Sequence, residues 1–149
     1  MPDVAPWERK FVECYIKRSR VDRYLMKLKG RKRRREILDR LNHSLDYRSE
    51  LATSIPSPER SPKRLLDLLR AERVADTCHV IADGNANDGR ELRIERAVEE
   101  LFGNFFGMVL ICPPIPIALY KEEDIGAMLI LKPNRAQQAG DRKPNPAAS

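Results

Sequence analysis

Phe105-Phe106-Gly107-Met108-Val109-Leu110-Ile111-Cys112, then Pro113-Pro114-Ile115-Pro116, then Ile117-Ala118-Leu119-Tyr120, is the stretch that decides how this chain folds. It forms most of an uncharged run from Leu101 to Tyr120, twenty residues and long enough to cross a bilayer as a helix. Gly103, Asn104 and Gly107 weaken that reading, and Pro113, Pro114 and Pro116 would leave helix carbonyls unpaired in lipid. The same letters read better as two strands. Phe105–Cys112, apolar apart from Gly107, has the continuous hydrophobicity of a strand covered on both faces. The prolines lack the ladder donor and force a turn into Ile117–Tyr120.

Met128-Leu129-Ile130-Leu131 and Thr77-Cys78-His79-Val80-Ile81-Ala82, short and rich in β-formers, complete the expected sheet. Between strands lie the turn residues Asp83-Gly84-Asn85-Ala86-Asn87-Asp88-Gly89 and a helix over about Leu92–Phe102, with Ile94, Ala97, Val98, Leu101 and Phe102 on its apolar face and Gly103 at its end. Upstream, Ser61 and Pro62 mark a sharp helix start by cap and first-turn proline, and the helix runs to about Arg73. His43–Ser61 reads as irregular because serines, prolines and Asp46 punctuate it.

Pro6–Lys29 reads as helical through Trp7, Phe11, Cys14, Val21, Leu25 and Leu28, a stripe broken at Arg18, so that two shorter helices meeting near Lys17–Ser19 fit equally. Gly30 is expected to stop it in a left-handed conformation. A second helix then covers Arg31–Asn42, with Ile37, Leu38 and Leu41 on one side.

The expected fold class is therefore α+β: N-terminal helices packed on a small, mainly antiparallel sheet of three to four strands, with the two long uncharged strands central. The expected organisation is one domain over 1–132, with a basic helical part at 6–42, a sheet part at 76–132, and a disordered tail of Pro, Asn, Gln, Ala and charge at 133–149.

Composition sets outer bounds. Of 149 residues, 42% are hydrophobic, enough for a core and against a wholly disordered chain. Aromatics at 6% are too few for a base-stacking platform. Three cysteines cannot all pair, which disfavours a disulfide-stapled scaffold and favours a reducing, cytoplasmic setting. Met1-Pro2-Asp3 opens without a basic-then-apolar signal pattern.

The net charge of +6 is unevenly placed. Residues 1–40 carry 14 Lys/Arg against 6 Asp/Glu, whereas residues 41–149 carry 14 against 16. The densest part of the basic 27–40 region is Lys27, Lys29, Arg31, Lys32, Arg33, Arg34 and Arg35, interrupted only by Leu28 and Gly30. Such a run is the electrostatic footprint of a phosphate backbone or another polyanion. A solvated helix face is the competing reading, because Lys32–Glu36 and Arg35–Asp39 are spaced i,i+4 as ordinary surface ion pairs. Those pairs would leave Arg31, Arg33, Arg34 and Arg40 to meet an external anion.

Other chemistry is sparse. Asp83, Asn85 and Asn87 alternate like calcium-loop ligands, but Asp88 and Ile94 stand where an EF-hand needs its glycine and its glutamate, so a tight strand-to-helix turn is expected. His43 and Asp46 have acid–base chemistry close together, and His79 sits within a strand, yet two histidines without a Cys-x-x-Cys or His-x-x-x-His pair make no metal cluster by spacing. Cys14, Cys78 and Cys112 lie in apolar stretches, as buried cysteines do, and only proximity of Cys78 to His43 would suggest a nucleophile. No cofactor motif is present, so none is expected, and nothing signals an oligomeric state.

Leu38-Asp39-Arg40-Leu41-Asn42-His43, Ala75–Ile81, Asp88-Gly89-Arg90-Glu91-Leu92 and the strand ending Ile111-Cys112 occur in an order and spacing that resembles an uncharacterised family of small bacterial proteins. The resemblance covers most of Phe11–Leu131. It implies no activity and carries over no catalytic residue. The chain departs from the pattern at Pro114-Ile115-Pro116, where that family has a Pro-Gly-Arg hairpin.

Three functions from different classes follow. The first is a non-enzymatic module binding an RNA or DNA backbone through Arg31, Lys32, Arg33, Arg34, Arg35 and Arg40. The second is a regulatory subunit whose basic helix meets an acidic protein. The third is a small hydrolase or nuclease using His43, Asp46, Asp83 and Asp88, which requires those side chains to share one cleft.

Overall fold

The computed structural model describes residues 4–124 and 126–134. The expected tail, 133–149, lies outside the described residues from position 135 onward. Helix α1 spans Pro6–Tyr15, with proline in its first turn. It ends because Ile16 is extended and bridges Tyr47, while Lys17 N–H donates to Asp46 O and Arg48 N–H donates to Tyr15 O. A short 3-10 turn at Arg18–Arg20 leads into α2, Val21–Leu28. Of the two readings of this segment, the pair of shorter helices is the one formed.

Gly30 departs from expectation. Its φ of −123° and ψ of 144° are extended, so it opens α3 (Arg31–Arg40) and does not close α2 in the left-handed region. Helix α4, Pro62–Ala71, starts as anticipated: Ser61 Oγ accepts from Arg64 N–H at 3.2 Å. Helix α5 is Ile94–Gly103.

The sheet has six strands, not three to four: β1 Ala52–Ser54, β2 Thr77–Ala82, β3 Glu91–Arg93, β4 Met108–Cys112, β5 Ile117–Lys121 and β6 Met128–Leu131. Their order is β1-β6-β5-β4-β2-β3, and every pairing is antiparallel. The two unexpected strands are the edges, each three residues long. Ala-Thr-Ser and Glu-Leu-Arg carry too few residues for an alternating pattern; they are strands because β6 and β2 offer them a ladder. The sheet therefore draws on residues 52–54, well before the expected start at 76. The central pair is β4 and β5, as the uncharged strands suggested, joined through the Pro113–Pro116 turn.

Both sheet faces are covered. Ile81, Val109, Ile111, Ala118, Tyr120, Leu129 and Leu131 pack with α1, α2 and α3. The alternate residues, including Cys78, Val80, Leu110, Cys112, Leu119 and Ile130, pack with α4 and α5. This three-layer arrangement explains why β4, β5 and β6 are buried at every position. The N-terminal helices pack on the sheet as expected, α1, α2 and α3 on one face and α4 on the other. The uncharged Leu101–Tyr120 run is the end of α5, β4, a turn and most of β5, and no helix among the described residues is long and apolar enough to cross a membrane.

Candidate nucleic-acid interface

Helix α3 carries the basic run, and its position in the fold divides those residues in two. Ile37, Leu38 and the following Leu41 face the core, so α3 can turn only part of its surface outward. Tyr120 O–H donates to Leu41 O at 2.6 Å, and Gly107 N–H donates to Asn42 Oδ1 at 2.7 Å, fixing the helix end over β4 and β5. The backbone at Gly107 comes so near Leu41 that a β-carbon there would lie 2.2 Å from Leu41 O.

Arg34 shares the inward side with these apolar residues. Its Nη1 and Nη2 donate to Glu8 Oε1 and Oε2 at 2.6 and 2.9 Å, and its Nε and Nη2 donate to Asp88 Oδ2 and Oδ1 at 2.9 and 2.8 Å. Glu8 Oε2 also lies 2.7 Å from His79 Nε2, and Asp88 Oδ1 accepts Ala82 N–H at 3.0 Å. One guanidinium thus ties α1, α3, β2 and the loop after β2 together. Glu8 is 2% exposed and His79 6%. Burial alone would raise the Glu8 carboxyl, but hydrogen bonds from His79 and Arg34 and their charges hold it below its ordinary value. Burial works against the Arg34 charge as well, and the Asp88 and Glu8 carboxylates more than offset it, so its pKa is raised.

The inward Arg34 corrects its expected place in an external binding set, since its fork is occupied by two carboxylates of the same chain. Arg40 is likewise engaged, donating to Asp46 Oδ2 at 3.1 Å and Ser44 O at 3.3 Å. Asp46 in turn accepts from Tyr24 O–H at 2.7 Å, and burial, with the Asp46 carboxylate, pushes that phenol up to about 12 against the pull of the Asp46 N–H.

Arg31, Lys32, Arg33 and Arg35 are exposed, and among the described residues none is within ion-pair distance of a carboxylate. Arg33 has only a weak contact from Nη1 to Met26 Sδ at 3.5 Å. The expected Lys32–Glu36 pair is replaced by Lys27–Glu36 at 3.1 Å, made across from α2, and Arg35 does not pair with Asp39. Lys32 and Arg35 instead line a shallow groove of about 310 Å³ with Glu36, Asp39 and Asp83. Three of the four free cations occupy the first turn of α3, which starts at Gly30 without a side-chain cap. The helix dipole disfavours cations at that end by roughly 0.3–1 kcal/mol each, and its unbonded N–H groups attract anions.

Each residue of the enzymatic reading has a partner of its own outside that set. His43 is well exposed, with Nδ1 3.5 Å from Glu123 Oε1. Asp46 belongs to the Arg40–Tyr24 cluster, Asp83 accepts from Asn42 Nδ2 at 3.0 Å, and Asp88 holds Arg34. The Asp83–Gly89 loop closes on itself: Asn87 N–H donates to Asn85 Oδ1, Asp88 N–H to Asn85 O, and Gly84 and Gly89 take positive φ of 61° and 79°. Cys78 lies on the α4–α5 side with its sulfur 3.1 Å from Cys112 Sγ, across the sheet from α3 and the His43 turn that follows it. Among the described residues, no group of three or more His, Cys, Asp or Glu is placed to hold a metal.

Sequence reasoning missed Glu8 altogether. Its only signal was an acid on the core-facing stripe of α1, one residue after Trp7 and three before Phe11. Comparison with protein-family models, with curated proteins and with solved structures finds no match.

Proposed function

We propose that the chain binds a nucleic-acid backbone, RNA or DNA, without catalysing a reaction, and that Arg31, Lys32, Arg33 and Arg35 make the phosphate contacts. The observation that carries this reading is the uncapped first turn of α3, where three exposed cations stand without carboxylate partners at the end of a helix that electrostatically disfavours them. An anionic partner removes that conflict. Arg34 and Arg40 serve the reading indirectly: by tying α3 and the turn after it to the body, they hold the four free cations on a fixed helix. Backbone contacts of this kind give affinity and orientation and carry no base sequence information.

A cytoplasmic location and membership of the uncharacterised bacterial family that the chain resembles belong to the same proposal. The reading in which α3 meets an acidic protein rests on the same four exposed cations, while Glu36, Asp39 and Asp83 in the groove beside Lys32 and Arg35 favour a partner carrying charges of both signs.

Fluorescence anisotropy with labelled single-stranded and duplex RNA and DNA oligonucleotides tests the proposal. Four phosphate contacts predict log K falling with log salt at a slope of roughly −3 to −3.6. Salt-independent affinity, or the absence of binding at low salt, would overturn it. Capture of one stoichiometric protein that survives nuclease treatment would favour the acidic-partner reading.

A further inference from the structure

On the α4–α5 side of the sheet, at the end of β5, lies a cavity of about 580 Å³ that the α3 surface does not involve. Its size falls in the range of small-molecule sites. Lys121 lines it and is only 5% exposed. The Lys121 ammonium donates to Phe106 O at 3.2 Å and Glu122 O at 3.0 Å, and among the described residues no carboxylate lies within ion-pair distance of it. Two carbonyls leave one of its three N–H donors over, and burial lowers its pKa despite the charge of Asp124. Arg60, also lining the cavity, uses Nε on Ile55 O at 2.7 Å, leaving the rest of its fork available.

The walls are apolar and partly open. Phe102 and Phe105 are 36% and 57% exposed, and with Phe106 they make up three of the four exposed large hydrophobic residues among the described residues. Phe102, Phe105 and Met128 line the cavity beside the two cations. Apolar walls with a few convergent polar groups are the composition of a small-molecule site. Among the described residues Asp124 is the single acidic one in the lining, so the cations outnumber it.

We propose that this cavity binds a small amphipathic organic anion, its acidic group received by Lys121 and Arg60 and its apolar body lying against Phe102, Phe105 and Met128. The desolvated ammonium supplies a strong charge-assisted hydrogen bond because water does not compete for it. Asp124 sets the selectivity: it disfavours multiply charged anions and favours a ligand with one acidic group.

Two fluorescent probes with a common aromatic body test this: anilinonaphthalene sulfonate, and phenylnaphthylamine, which lacks the sulfonate. The full chain is expected to bind the sulfonate at least about tenfold more tightly than the uncharged probe. Arg60→Gln and Lys121→Met weaken sulfonate binding by about fivefold or more and leave the uncharged probe within about twofold, while Phe105→Ala weakens both. If Lys121→Met does not fold, Arg60→Gln and Phe105→Ala, at more accessible positions, decide the outcome. Neutralising Arg31, Lys32, Arg33 and Arg35 with glutamine is expected to leave sulfonate binding unchanged. Equal affinity for the two probes, or sulfonate binding lost on neutralising α3 and retained in folded Arg60→Gln, would overturn the proposal.

Discussion

Replacing Arg34 by methionine keeps most of the side-chain volume and removes the guanidinium, which separates two roles that the basic run confounds. The structure gives Arg34 four N–H···O contacts of 2.6–2.9 Å to Glu8 and Asp88. Without it, Glu8 stays buried with only His79 beside it, and Asp88 keeps only the Ala82 N–H. Breaking a buried pair costs about 3–5 kcal/mol; because the Arg34 side chain is 16% exposed, the lower end applies, about 3 kcal/mol. For a chain of this size that is a fall in Tm of roughly 6–12 °C. Arg33→Met, one position away and facing solvent, removes a cation from the first turn of α3 and should leave stability unchanged or raise it by up to about 1 kcal/mol.

The pH dependence follows from Glu8. Its folded carboxyl lies below the ordinary value of 4.5, so its contribution to stability is present above that value and is lost as pH falls through the lower folded one. In Arg34→Met the hydrogen bonds and charge of Arg34 are gone and only His79 opposes burial, so the carboxyl lies higher than in the wild type. The gap between wild type and variant therefore narrows as pH falls below about 5. Adding Glu8→Gln to Arg34→Met removes the uncompensated charge and should recover about 1 kcal/mol or more. Urea unfolding followed by circular dichroism reads all four proteins. Equal stability of Arg34→Met and Arg33→Met would refute the division of α3 into an anchoring and an outward side.

Further outcomes follow from the same geometry. Gly107→Ala places a β-carbon against the Leu41 backbone, which cannot yield as a side-chain tip would, and should cost about 1–3 kcal/mol in urea unfolding. Arg31→Glu and Arg33→Glu put acids at the start of α3 and should raise stability by about 0.3–1 kcal/mol each in low salt, an effect lost in high salt. Cys14 is partly buried whereas Cys78 and Cys112 are fully so, and hydrogen bonding to Cys78 together with burial pushes the Cys112 thiol well up. A thiol reagent should therefore modify Cys14 first and reach the other two only on unfolding, as mass spectrometry of partly labelled protein would show.

How much of this was legible depended on whether the signal was local. The central strands announced themselves because covering both faces demands unbroken hydrophobicity, and Ser61-Pro62 announced α4 because capping is satisfied within one turn. The break after Tyr15 was half-visible at Arg18, since its cause, the 46–48 segment pairing with Ile16, lies thirty residues away. The edge strands left no trace, as three residues pair only where a neighbour invites them. Charge spacing along α3 treats Arg33 and Arg34 alike, since the i,i+4 pairs leave both over. Separating them required knowing that Glu8, on another helix, and Asp88, beyond β2, converge on one position of α3. Lys121 lies just beyond the strand expected over Ile117–Tyr120, and its contact with Phe106 O is one that no local pattern encodes.

The salt slope of oligonucleotide binding, compared between the wild-type chain and a variant with Arg31, Lys32, Arg33 and Arg35 all changed to glutamine, tests the central claim most directly. Loss of four phosphate contacts predicts that the slope becomes shallower by about 3, with the fold intact by circular dichroism. An unchanged slope and affinity in that variant would contradict the assignment of α3 as the nucleic-acid surface.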